Sequence, residues 1–219
     1  MKTVWFLAGD YWHPAQTVSP LADKLFDREQ WNVLLTENPR ELLAMEDAPD
    51  LIVSIKDPIE NNQIPTPAWC DAAWMDRLFA CVREQGTGLL LIHAALADLK
   101  SDHPMVSEVA HAMFLGHPAH CPLTLRSVRE HAIVSGVPAF TFPDNDEHYM
   151  MSMLDGAQVD ILAQTESKNG VQPGLWVSEL GRGRVCCVTP GHTTKNLLYA
   201  PYLRLLRNAV LWCGRSPSV

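Results

Sequence analysis

The sequence predicts an α/β fold built on a doubly wound, mostly parallel sheet with an antiparallel extension. Short apolar runs alternate with longer helical patterns through the first half, which is how β-α-β units read in sequence. Those runs are apolar at successive positions rather than at every second one, as strands covered on both faces require. In the second half the strand-like runs come closer together, and Gly181-Arg182-Gly183 reads as a hairpin turn between two of them.

The elements follow in order. Thr3–Leu7 is the first strand. Ser19-Pro20 looks like a cap followed by proline at the first helical position, opening a helix to about Arg28. Asn32–Leu35 is a second strand, Pro39–Met45 a short helix and Leu51–Ile55 a third strand. A longer helix runs over Trp69–Gln85 and stops at Gly86, before the strongest strand, Gly88–His93. Met105–Phe114 reads as a helix, and Pro122–Val128, Val159–Gln164, Leu175–Ser178 and Arg184–Val188 as strands. Pro201–Trp212 is an amphipathic terminal helix with Leu203, Leu206, Val210 and Leu211 on one side.

The length of 219 residues suits one domain spanning 1–219, large enough to be stable without disulfides. A net charge of -8, without any clustered Lys and Arg, argues against a nucleic-acid partner. No stretch reaches the length of a membrane span, and the apolar run at the N-terminus is too short for a signal-peptide core. The six cysteines lack metal or redox pair spacing and lie mostly in apolar contexts, so a reducing cytoplasm is the simplest compartment.

In doubly wound sheets ligands bind at the carboxyl ends of the strands, so the loops there are the ones to read. Five carry polar or aromatic groups: Gly9–Pro14, His93–Ala95, Leu115–Pro118, Asp144–Tyr149 and Thr189–Thr194. His93 ends the best strand, where a strand-to-helix elbow can project a side chain into a cleft; a hydrogen-bonded core histidine is the competing reading. No Ser or Cys occupies that elbow, so covalent acyl transfer lacks its nucleophile. Asp146 and Glu147 lie in an acidic run that is either a solvated turn or, beside histidines, a source of acid–base or metal-binding carboxylates. His192, in Pro190-Gly191-His192, is either a base or substrate-binding imidazole or a helix cap. His13 and His117 each precede a proline and sit on stiff, extended backbone. His103, which also precedes a proline, reads as a helix start, and His111, His120 and His131 as surface or packing residues. Trp176 is a candidate sugar platform, with a core position as the alternative.

Several of these segments together resemble the trehalose-utilisation (ThuA-like) family, whose fold is similar to class I glutamine amidotransferases. The matching pieces are Gly9-Asp10-Tyr11-Trp12-His13-Pro14, Gly88 through Ala95, Phe114 with His117-Pro118, and His131 through Gly136. They continue with Asp146-Glu147-His148-Tyr149, then Gly181 through Val185 running into Pro190-Gly191-His192, and Asn208 through Trp212. The resemblance spans nearly the whole chain in order. It implies a three-layer α/β/α, flavodoxin-like fold and a role in carbohydrate metabolism, in company with sugar oxidoreductases that make 3-keto derivatives of disaccharides. The family pattern often has Gly-Gly before the Phe of the third motif, where this chain has His111-Ala112-Met113-Phe114. Amidotransferases carry cysteine at the elbow, whereas this chain reads Ile92-His93-Ala94, so glutamine hydrolysis is not expected.

The expected function is acid–base chemistry, isomerisation or elimination, on a keto-sugar or glycoside. Glu147 and His192 are the expected acid–base pair, with His93 donating to the substrate oxygen. Asp10, His13, His117, Asp146, Tyr149 and Trp176 are the expected substrate contacts. A divalent metal, zinc or manganese, held by some of His13, His93, Glu147 and His192 fits the residue types. With such a metal, hydrolysis by a metal-bound water is a third reading. The alternative to an enzyme is a non-catalytic sugar-binding accessory to a sugar oxidoreductase. The expected partners are a small-molecule sugar, that oxidoreductase and a second copy of the chain.

Overall fold

A computed structural model describes residues 1–215. The strands are β1 (Lys2–Leu7), β2 (Trp31–Thr36), β3 (Leu51–Ser54), β4 (Gly88–Ile92), β5 (Ala112–Gly116), β6 (Thr124–Ser127), β7 (Phe140–Thr141), β8 (Met150–Met153), β9 (Asp160–Ser167), β10 (Gly170–Leu180) and β11 (Gly183–Val188). The helices are α1 (Ala15–Leu25), α2 (Glu41–Ala44), α3 (Ala72–Phe79), α4 (Thr194–Leu197) and α5 (Ala200–Cys213).

Nine strands form one sheet in the order β2-β1-β3-β4-β11-β10-β9-β6-β7. Pairing is parallel from β2 through β11 and antiparallel from β11 to β7. The predicted antiparallel extension therefore supplies as many pairings as the parallel part. The predicted Gly181-Arg182-Gly183 hairpin joins β10 to β11 and turns that extension back onto the parallel strands.

Both faces of the sheet are covered, which explains the unbroken apolar runs. Val4, Phe6, Leu90, Ile92, Cys186 and Val188 pack on one side with Val18, Leu21, Ala22 and Leu25 of α1 and Leu206 and Val210 of α5. The alternate residues Trp5, Leu7, Leu89, Leu91, Val185 and Cys187 pack on the other side with Trp74, Met75 and Leu78 of α3. This is the three-layer α/β/α architecture. All six cysteines are buried and free, acting as small apolar residues.

Three local expectations are corrected. Helix α1 starts at Ala15, immediately after Pro14, and Pro20 lies inside it rather than at its first position. One missing N–H is tolerated because Val18, Leu21, Ala22 and Leu25 keep the spacing of a buried helical face. Met105–Phe114 is not one helix: a turn of π type covers Met105–Ala110, ends at His111 with φ +55°, and gives way to β5. Strand β5 pairs with β8 in a separate two-stranded sheet, and this non-local partner outweighs local helical pattern. On α5 the buried face includes Leu203, Leu206 and Val210 together with Leu205, while Leu211 is only half-buried. The predicted stop at Gly86 holds, with φ +83°.

Candidate functional site

Loops at the carboxyl ends of β1, β3, β4 and β11 meet the segment between β7 and β8 around a cavity of about 560 Å³. Its wall includes His13, Asp57, His117, His120, Glu147, Tyr149 and His192, with Trp12 and Asn62 at its rim. Trp12 donates its indole N–H to Asn62 Oδ1 (3.0 Å), and Asn62 in turn bonds to Asp98 (2.6 Å).

The buried Glu147 side chain is the hub. His93 Nε2 lies 3.3 Å from its Oε2, and His117 Nε2 (3.4 Å), His120 Nε2 (3.1 Å) and His192 Nδ1 (3.3 Å) all approach Oε1. His93, completely buried, sits at the predicted elbow with φ +49°, an unusual backbone for a residue with a Cβ. Its Nδ1 faces the Thr189 carbonyl at 2.7 Å, so that nitrogen carries a proton and Nε2 is the one aimed at Glu147. The Tyr149 ring stacks on His93 at 4.5 Å, with its hydroxyl 3.5 Å from Nε2.

Two of the expected substrate contacts are braces instead. Asp10 accepts the backbone N–H groups of Trp12 (2.9 Å), His13 (2.8 Å) and Asp57 (2.9 Å) and faces His13 Nδ1 at 3.0 Å. That contact puts the Nδ1 proton of His13 on the carboxylate side and leaves Nε2 pointing at His192 Nδ1, 3.0 Å away. Asp146 is fully buried and accepts from the backbone N–H of Glu147 (2.8 Å), Gly191 (3.0 Å) and His192 (3.0 Å) and from Asn196 Nδ2 (3.0 Å). Gly191 has φ +125°, which glycine alone adopts cheaply, and this aims two successive N–H groups at Asp146. Neither carboxylate has an oxygen left over for a sugar hydroxyl, because the loop backbones consume them.

Trp176 is also corrected. It is 1% exposed, packs in the core beneath the sheet and donates its indole N–H to the Ala110 carbonyl at 2.8 Å, so no ring face is open to a sugar. His148, beside Glu147, turns away to Ser167 Oγ (2.7 Å). Conversely, His120 belongs to the site although its sequence context suggested the surface. Asp57 was missed too; it follows the third parallel strand, the position that the strand-end rule singles out. A second groove, of about 640 Å³ along Ser127–Ser135, brings no comparable cluster together: His131 there spends Nδ1 on the Ile133 N–H.

Electrostatics separate the groups. Burial opposes the charge on Glu147, but the His93 hydrogen bond and the His93, His192 and His117 charges prevail and bring its pKa down to about 2. Burial likewise opposes a charged His93, and the Glu147 hydrogen bond with the Asp146 and Glu147 charges prevails to raise its pKa. His192 is pushed down to about 4, by burial first and then by His93, and is neutral at pH 7. Burial raises Asp57 to about 7, against the Ile59 N–H and with the help of Asp98 and Asp10. The cleft thus holds a carboxylate, a neutral imidazole and hydrogen-bond donors within reach of one another, the parts that proton transfer needs.

Known proteins share this architecture. A ThuA-like protein from Parabacteroides merdae ATCC 43184 superposes with a TM-score of 0.75 at 15% identity, covering 100% of this chain and 92% of its own. One from Bacteroides uniformis ATCC 8492 gives 0.73 at 17%, covering 96% and 89%. The carbohydrate deacetylase Agd3 gives 0.66 at 12%, with 98% of this chain matching 32% of that one. At these identities the likeness is one of fold. No curated protein matches the sequence. The ThuA family, described as trehalose utilisation, matches residues 3–213, which is nearly the whole sequence. This chain therefore belongs to the ThuA, trehalose-utilisation family.

Proposed function

We propose that this cleft carries out acid–base chemistry, an isomerisation or elimination, on a keto-sugar or keto-glycoside, without glutamine amidotransferase activity. The observation that carries the reading is the Glu147 carboxylate with four imidazoles within 3.4 Å of it, in a cavity able to hold a sugar ring. The family's link to trehalose utilisation supports a carbohydrate substrate.

A C–H bond next to a ketone is acidic enough to be broken by a positioned carboxylate. Glu147 takes that proton, and the electron pair moves onto the ketone oxygen, giving an enediolate. His93 and Tyr149 supply donors to that oxygen. In elimination the enediolate collapses, the bond to the leaving oxygen breaks, and the neighbouring His120 delivers a proton to it. In isomerisation the enediolate's hydroxyl proton passes to the former ketone oxygen, the carbonyl forms at the neighbouring carbon, and Glu147 returns its proton to the former ketone carbon. The elbow residue His93 offers no thiol or hydroxyl, so no covalent acyl intermediate enters.

The ketone must come from an oxidation, so a sugar oxidoreductase acting on the parent disaccharide is the partner this chemistry calls for, in the same cytoplasmic compartment. A sugar-binding accessory is the second reading, favoured by the engagement of Glu147 with surrounding imidazoles. The test is NMR of the protein with a 3-keto disaccharide and, separately, its unoxidised parent. Conversion of the ketone alone supports the enzyme. Broadened ligand signals without conversion support the accessory.

A further inference from the structure

We propose that His13, His93 and His192 form a binding site for one divalent transition-metal ion, with Glu147 standing beside its open coordination position. The site stands on geometry alone; its use in catalysis, where the ion would polarise the ketone oxygen in place of a donor from His93 and beside Tyr149, rests on the keto-sugar reading above.

Three ring nitrogens of these residues lie within 4.8 Å of one another. Two have their far nitrogens committed. His13 Nδ1 faces the Asp10 carboxylate at 3.0 Å, and His93 Nδ1 faces the Thr189 carbonyl at 2.7 Å. Metal-bound histidines characteristically give their second N–H to a carboxylate or a backbone carbonyl, which fixes the tautomer and aims the other lone pair at the ion. Both arrangements occur here side by side, and His93 and His13 are almost wholly buried.

The spacing is within a small side-chain adjustment of what one ion needs. Donors about 2.0–2.2 Å from a tetrahedral ion stand about 3.3–3.6 Å apart. His13 Nε2 and His192 Nδ1 are 3.0 Å apart, and Glu147 lies 3.3 Å from both His93 Nε2 and His192 Nδ1. Lone pairs on His93 and His13 that converge beside a carboxylate need a proton or a cation between them, and one ion satisfies all of them together. His117 repeats the pattern at the mouth, with Nδ1 on the Pro118 carbonyl (2.9 Å) and Nε2 toward Glu147. In that outer cluster His117 and His120 are exposed, so the more buried triad is the assigned site. Three imidazoles suit zinc and its first-row neighbours.

The test is calorimetric titration of chelator-treated full-length protein with Zn²⁺ and with Mn²⁺, in the absence of any sugar, with metal content per chain measured after dialysis. The expected result is one equivalent bound, with a rise in Tm on binding. His13→Ala and His192→Ala should each weaken binding more than Asp10→Asn, which keeps every ligand and should cost about 10–100-fold. A His131→Ala control should bind like the wild type, and circular dichroism of the metal-free variants shows whether each has folded. The proposal is overturned if folded wild type takes up no ion, or if binding survives in His13→Ala and His192→Ala but is lost in His117→Ala. Because no sugar is present, these outcomes are independent of whether the keto-sugar reading holds.

Discussion

The Asp146 carboxylate accepts the backbone N–H of His192 at 3.0 Å, tying together loops that are far apart in sequence. The same carboxylate accepts from Glu147 and Gly191, so one buried side chain sets the relative position of two of the proposed chemical groups. Asp146→Ala would leave buried N–H groups without acceptors. The expected loss is at least about 3 kcal/mol of unfolding free energy, on the cost of unsatisfied buried donors. Urea unfolding measures it; a loss below about 1 kcal/mol would show that water or a rearranged loop takes over.

Tyr149→Phe keeps the ring stacked on His93 and removes only the hydroxyl near His93 Nε2. With Tyr149 donating to the developing oxyanion, kcat should fall about 10²-fold with KM little changed. Steady-state kinetics on the keto-sugar separate the two; an unchanged kcat removes Tyr149 from the reaction.

Trp176→Phe tests the opposite case. The indole is core and bonded to the Ala110 carbonyl, so its replacement should cost about 1–3 kcal/mol of stability. Sugar affinity should be unchanged. A large rise in the ligand Kd, measured by calorimetry, would return Trp176 to the binding surface.

Asp57→Asn should have an effect that depends on pH. Burial, with Asp98 and Asp10 nearby and opposed by the Ile59 N–H and His93, raises the native pKa of Asp57 to about 7. In the unfolded chain the group titrates near 4. Below that value both states are protonated and nothing is lost. As pH rises from about 4 to about 7 the unfolded state ionises first and stability falls, reaching a constant penalty of about 4 kcal/mol above pH 7. Asp57→Asn should therefore stabilise metal-free protein by up to that amount at pH 8 and by almost nothing at pH 4. Paired denaturation curves at the two pH values check it, and a gain independent of pH would contradict it.

The layers and the positions of His93, Glu147 and His192 were legible because they follow local pattern: apolar strand runs, and polar loops where such strands end. Strands β5 and β8 were not, since each is short and finds its partner far along the chain. His120 lies among exposed residues, and only the fold brings it to Glu147. Asp10 and Asp146 were recognised as belonging to the site but given the wrong task. A carboxylate looks the same in sequence whether it faces a ligand or a ring of backbone N–H groups, and here the backbone claims both.

The central claim is that Glu147 removes a proton from carbon beside a sugar ketone, and solvent exchange reads that step directly. Wild-type protein and Glu147→Gln would be incubated in D₂O with a 3-keto disaccharide, and deuterium at the carbon next to the ketone followed by NMR. Incorporation or a deuterated product in the wild type, with a loss of at least about 10²-fold in Glu147→Gln of unchanged fold, is the expected result. Equal rates in the two proteins, or no exchange above the protein-free control, would contradict it.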